Sequence, residues 1–190
     1  MNKIESQDHV VASVRALGAD HEDARVFGQY RFVCRDASGC VKWVEEIKNI
    51  VTDVGARTML DVILGNVAAG AVVLGLKGSG APAYSDTQSS HSGWLEVGGA
   101  NAPAYTGNRP TPTFSAAAGS SGSGNRSKTT STALTFTFTS SGTVAGAFIT
   151  IGGSATKDNT AGTLFSVGDF ATPRSVVASD QLQVDYTLNA

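Results

Sequence analysis

Asp86, Ser89, Ser90, His91 and Ser92 place an acid, a base and three hydroxyls within seven positions, the ingredients of serine hydrolysis. In that chemistry a histidine deprotonates the serine and a carboxylate orients the histidine, with the groups converging from separate elements. Neighbours on one loop more readily hydrogen-bond their own backbone, and Asp86, Ser89 and Ser90 are of the types that do so. The structural reading of His91 is therefore preferred. The strained Gly-x-Ser-x-Gly elbow is absent from the chain. Gly78-Ser79-Gly80 and Gly122-Ser123-Gly124 do not extend into a phosphate or dinucleotide fingerprint. Glu45 and Glu46 are adjacent, so on a strand they point to opposite faces and cannot share acid/base work. Asp158 and Asp169 lack the Asp-x-Asp-x-Asp spacing of a calcium loop. Cys34 and Cys40 fall short of the four ligands of a zinc site, and structural free thiols are favoured over a disulfide. Trp43 and Trp94 would be stacking platforms in a sugar binder, but large aromatics on strands more often fill a core or a subunit contact. His9 and His21 lie in the leading segment and are expected in solvent. Asn125-Arg126-Ser127 matches a glycosylation sequon, to which no weight is given without a secretory signal. No catalytic, cofactor-binding or metal residue is assigned, no cofactor is expected, and the chain is not expected to be an enzyme.

The elements that would position these residues read as mainly β. Residues 27–34 and 40–47 are two β-type runs joined across Asp36-Ala37-Ser38-Gly39, an Asp-early, Gly-late linker suited to a hairpin turn. A helix is predicted from Thr52 or Asp53 to the stop at Gly65-Asn66, with Val54, Leu60, Ile63 and Leu64 on the apolar side that covers a sheet. The continuous apolar run 71–76 predicts a strand buried on both faces. Short strands follow at 94–97, 113–115, 134–139, 144–151, 163–167 and 182–188, separated by Gly152-Gly153, Asp158-Asn159 and Pro173. Apolar on both sides, 144–151 is either a central strand or a subunit contact. The Gly/Ser run 119–126 either separates domains or loops between adjacent antiparallel strands; the Ser/Thr-rich strand style on both sides favours the loop.

Residues 1–26 form a separate N-terminal arm. Asp8 caps a short helix there, with Val10, Val14 and Leu17 on one face and Gly18 at its end, or else the arm is a frayed leader. A helix this short is marginal alone in water and must dock on the body or on another subunit. Residues 27–190 are expected to make a single β-rich domain, an antiparallel β-sandwich or jelly-roll-like body carrying the hairpin and one α-helix.

Charge narrows the partners. Of 190 residues 16% are charged, with a net charge of -2, and most of the charge lies before Asn66. No basic patch points to nucleic acid, and no apolar run is long enough for a membrane span. Met1 to Glu5 run into Ser6–His9 without an apolar stretch, so the expectation is synthesis in a cytoplasm.

Phe32, Cys34, Asp36, Gly39, Lys42, Trp43, Glu45, Asn49, Leu60, Asp61 and Val62 form a pattern of hairpin and helix. With Asp86-Thr87, Ser90-His91, Gly93-Trp94 and Glu96, and later Val144, Gly146-Ala147-Phe148, Gly162-Thr163-Leu164, Asp180, Leu182 and Val184, it resembles small virion proteins of tailed bacteriophages. The resemblance runs from Tyr30 to Leu188 and leaves the arm unmatched. It implies a virion structural protein, capsid-decorating or tail-associated. The expectation drawn from it is a capsid decoration or cement protein at the virion surface, made in the host cytoplasm. Its partners would be the major capsid protein and itself, as a homotrimer where three capsomers meet, with arm or loops gripping neighbours. The alternative is a tail-associated adhesin that binds the host surface through exposed aromatics in 84–105 and the Gly/Ser loop.

Overall fold

Side-chain alternation and one tight turn set the first unit of structure. The computed structural model describes residues 26–119 and 126–190. Strand β1 (Phe27–Arg35) pairs antiparallel with β2 (Val41–Val51). Asp36 Oδ1 closes the turn by accepting from the backbone N–H of Ser38 and Cys40, both at 2.9 Å, while Gly39 takes φ 87°. These donors, the Ser38 hydroxyl first, hold the Asp36 carboxyl below its ordinary value.

Thr52 caps α1 (Asp53–Ile63) by accepting from Gly55 N–H at 3.0 Å, and its own hydroxyl donates to Leu164 O. The helix does not dock through the side expected from the sequence. Gly55 is its buried residue, and a Cβ there would lie 2.3 Å from the Phe165 carbonyl oxygen, so backbone rests on backbone. Seating the helix on Gly55 turns Leu60, Ile63 and Leu64 outward, 54%, 68% and 82% exposed. Close approach at a glycine, rather than the widest apolar stripe, sets the rotation.

The remaining strands are β3 (Val72–Lys77), β4 (Glu96–Val97), β5 (Ser127–Thr129), β6 (Leu134–Thr137), β7 (Gly142–Ile151), β8 (Thr163–Val176) and β9 (Gln181–Asn189). All nine join one sheet in the order β4-β3-β7-β8-β2-β1-β9-β5, with β6 also on β9, and every ladder is antiparallel. The mainly β, antiparallel expectation is thus met. Its two halves are not separate layers. They join where Asn49, Ile50 and Val51 pair with Gly168, Val167 and Ser166, so one sheet curls on itself and shares its inner face. Tyr30 and Phe32 from one half meet Leu74, Leu76, Val144 and Ile149 from the other in one core.

Two sequence alternatives are decided here. β7 lies between β3 and β8 and is buried for most of its length, the central strand of the two readings. Ala118 pairs with Ser127 and Phe114 with Thr130, so the run 119–126 connects adjacent antiparallel segments. Gly122-Ser123-Gly124 and Asn125 of the sequon lie outside the described residues, as do the arm up to Arg25, its helix from Asp8, and His9 and His21.

Pro173, expected in a loop, lies within β8. Register passes there from Asp169, opposite Gly146, to Arg174, opposite Val144. The intervening residues bulge, and a missing N–H removes no ladder bond at a bulge. β5, polar throughout, carried no strand signal and is held by pairing with β9.

Candidate functional site

The hydrolase ingredients do not converge. Trp94, 1% exposed, sits between the acid and the base. Asp86 Oδ2 accepts from the Trp94 indole N–H and from Ala83 N–H, both at 2.9 Å. The His91 ring stacks on the indole at 4.0 Å between centroids, and its Nδ1 lies 3.1 Å from the Trp94 carbonyl oxygen. Ser89 Oγ is 3.3 Å from Thr87 Oγ1, and Ser90 bonds Thr87 through its backbone. Asp86 and His91 both brace the tryptophan instead of orienting one another.

The other polar candidates likewise tie distant elements in pairs. Glu45 binds Arg174 and Glu46 binds Arg31, on opposite faces of β2 as adjacent strand residues must. Asp169 accepts from the buried Lys77 ammonium at 2.5 Å, while Asp158 accepts from Ala100 N–H at 2.7 Å, so these two carboxylates share no site. Burial lowers the Lys77 value, and Asp169 opposes the shift. Lys42 reaches Asp180 at 2.5 Å. Asn49 accepts from Gly28 N–H at 2.6 Å and donates to the Tyr186 hydroxyl. Among the described residues no group of three or more His, Cys, Asp and Glu is arranged to hold a metal ion.

Cys34 and Cys40 are free thiols, the first buried and the second exposed, and burial pushes Cys34 up to about 11. Trp94 belongs to the core, and Trp43 packs edge-on against Phe170 at 5.9 Å while its indole N–H donates to Ser175 O. Both tryptophans therefore pack rather than present a stacking platform.

A cleft, an exposed sheet face and a buried ion pair were not read from the sequence. Arg109, in a Pro-rich loop, is buried and grips Glu96 with two bonds, Nε at 2.8 Å and Nη2 at 2.5 Å. It also donates to the carbonyls of Ser154 and Asn159. An apolar cleft of about 330 Å³ opens between α1 and the end of the curled sheet. Met59, Val62 and Ile63 form its helix wall, Val72, Ile151 and Leu188 part of its sheet wall, and Lys128 is its charged residue. Gly55 was the available signal, since a glycine inside an amphipathic helix marks close backbone contact.

The second surface is the outer face of the β2-β1-β9 half, on which no other element packs among the described residues. Rows of side chains cross it in register: Val44, Val33 and Gln183; Glu46, Arg31 and Asp185; Lys48, Gln29 and Thr187. Val44 is 47% exposed, and Arg31 pairs with Glu46 at 3.2 Å in the row below. The face carries opposed charges in its middle row, with polar groups to one side and the exposed Val44 to the other. No protein family, curated protein or solved structure matches the chain.

Proposed function

We propose that the chain is a structural protein of a tailed-bacteriophage virion that decorates the capsid and cements it by bridging neighbouring major capsid protein subunits. The observation that carries this reading is the outer face of the β2-β1-β9 half. It is a broad sheet surface on which Arg31 is set between Glu46 and Asp185 and the half-exposed Val44 stands in the adjoining row. Its two acids, Glu46 and Asp185, balance its two bases, Arg31 and Lys48, so the charges can stay paired when the face is laid on another subunit. Symmetry multiplies a modest contact over many copies, so a homotrimer at the junction of three capsomers is the assembly proposed. The residues carrying the resemblance support the reading in a second way: Asp36, Lys42, Glu45, Asn49, Asp86, Glu96 and Asp180 each brace a strand, turn or loop. They suit a rigid scaffold with no reactive centre, exposed at the virion surface after synthesis in the host cytoplasm, with neither nucleic acid nor membrane as partner.

The tail-adhesin alternative has less support. Of the aromatics in 84–105, Trp94 and Tyr105 are buried and Tyr84 is exposed, which removes two of its contact groups.

Light scattering on the purified chain, followed by co-sedimentation with shells stripped of accessory proteins, tests the proposal. Trimers that saturate shells, and lose that binding on Val44→Asp, are expected. Monomers that ignore shells would overturn it.

A further inference from the structure

The apolar cleft beside α1 continues onto an exposed apolar surface. Ile63 both lines it and faces solvent, and Leu60, Leu64 and Val67 carry the apolar surface along the outer side of the helix and past its end. The described chain starts near that cleft, with Val26 and Phe27 lining a separate groove beside Lys48, Asn49 and Tyr84. Gly28 pairs with Leu188, a cleft residue, and a Cβ on Gly28 would meet Tyr186, another. Val26 stands two residues before Gly28, about 7 Å of extended chain. The preceding segment therefore joins the body near an apolar groove that is open among the described residues.

We propose that Val10, Val14 and Leu17 of the same chain fill this cleft, laid in as one helical face in the free protein. Their spacing of four and three residues makes a single apolar stripe. Leu17 is nine residues from Val26, a span of up to roughly 30 Å, whereas the eleven-residue α1 is about 16 Å long, so the stripe reaches the whole groove. The cleft is lined almost wholly by apolar groups, since Lys128 turns its ammonium to the Ser115 carbonyl at 3.0 Å, so an apolar stripe is the complement it takes. So short a helix gains its stability from docking, and tethering makes that docking intramolecular at high effective concentration. The inference does not depend on the virion reading, and it leaves the outer sheet face free for neighbours.

Disulfide trapping in the full chain tests it, in a Cys40→Ser background that removes the exposed thiol. Val14→Cys combined with Ile63→Cys is expected to oxidise to a monomer of altered mobility. Val14→Cys with Ser38→Cys, at the far hairpin turn, is the control and is expected to stay open. Mixed chains carrying Val14→Cys or Ile63→Cys singly are expected to give no dimer. A dimer from that mixture means a second copy supplies the stripe, and trapping no better than the control means that the cleft takes another occupant; either overturns the proposal. A second measurement leaves the body untouched. Val14→Asp with Leu17→Asp is expected to raise anilinonaphthalenesulfonate fluorescence severalfold, and unchanged fluorescence would count against the docked arm.

Discussion

Replacing Glu96 by Gln removes the counter-charge of a buried guanidinium with almost no change of shape. In the native protein Glu96 Oε1 accepts from Arg109 Nε at 2.8 Å, and Oε2 accepts from Arg109 Nη2 at 2.5 Å and from Asp158 N–H at 2.9 Å. The substitution leaves Arg109, whose side chain is fully buried, with two carbonyl acceptors and no anion. Breaking a buried pair from one side costs about 3–5 kcal/mol, because the remaining charge stays desolvated. Against a total stability of roughly 5–15 kcal/mol that is a large fraction. At about 2–4 °C per kcal/mol for a chain of this size, the melting temperature should fall by roughly 6–20 °C. Urea unfolding followed by tryptophan fluorescence and circular dichroism measures the same loss, with an unchanged m-value expected. Replacing both partners, Glu96→Leu with Arg109→Met, should recover most of it, since neither charge then remains buried. A Glu96→Gln cost below about 1 kcal/mol, the range of exposed pairs, would refute the reasoning, as would a double variant no better than the single one.

Three further outcomes follow from the same packing. Gly55→Ala should destabilise the protein in denaturant unfolding although alanine favours helix by about 1 kcal/mol, because its Cβ would lie 2.3 Å from the Phe165 carbonyl oxygen; a gain in stability would contradict the docking of α1. A thiol reagent at pH 8 should modify the exposed Cys40 rapidly and leave the buried Cys34, whose value is pushed up to about 11, unmodified until unfolding; two equally fast thiols would exclude this packing. Stability should fall as pH rises above about 10, because burial raises Tyr186 to about 12, and Tyr30 and Tyr105 upward, so that the unfolded chain releases these protons first. Each tyrosine contributes a slope of up to about 1.4 kcal/mol per pH unit. Lys77, lowered by burial, works in the opposite sense, but its effect is complete near its ordinary value of 10.5. Stability that is flat or rising between pH 10.5 and 12 would contradict the buried tyrosines.

Much of the fold was legible because its signals are local. The hairpin turn needs one aspartate and one glycine, and Asp36 and Gly39 stand in the sequence where the structure uses them. β9 alternates Leu182, Val184, Tyr186 and Leu188 with polar residues, and the first three are buried. Non-local geometry was not legible in the same way. The rotation of α1 depends on Gly55 meeting a strand more than a hundred residues later in the chain. β5 forms because β9 offers it a ladder, not because Ser127, Lys128 and Thr129 favour one. The curl of the sheet rests on three residue pairs between β2 and β8. The same limit applied to the candidate sites. Asp86 and His91 are sequence neighbours, but only the fold shows the Trp94 indole between them. Arg109 had no local signal, because its partner Glu96 lies on a two-residue strand.

Quantitative mass spectrometry of purified virions, comparing this chain with the major capsid protein, tests the central claim most directly. Decoration predicts copies in fixed proportion to the shell subunit, removable from the particle surface and able to rebind it. Finding the chain free in the lysate and absent from particles, or present only in the few copies of a tail component, would contradict the account.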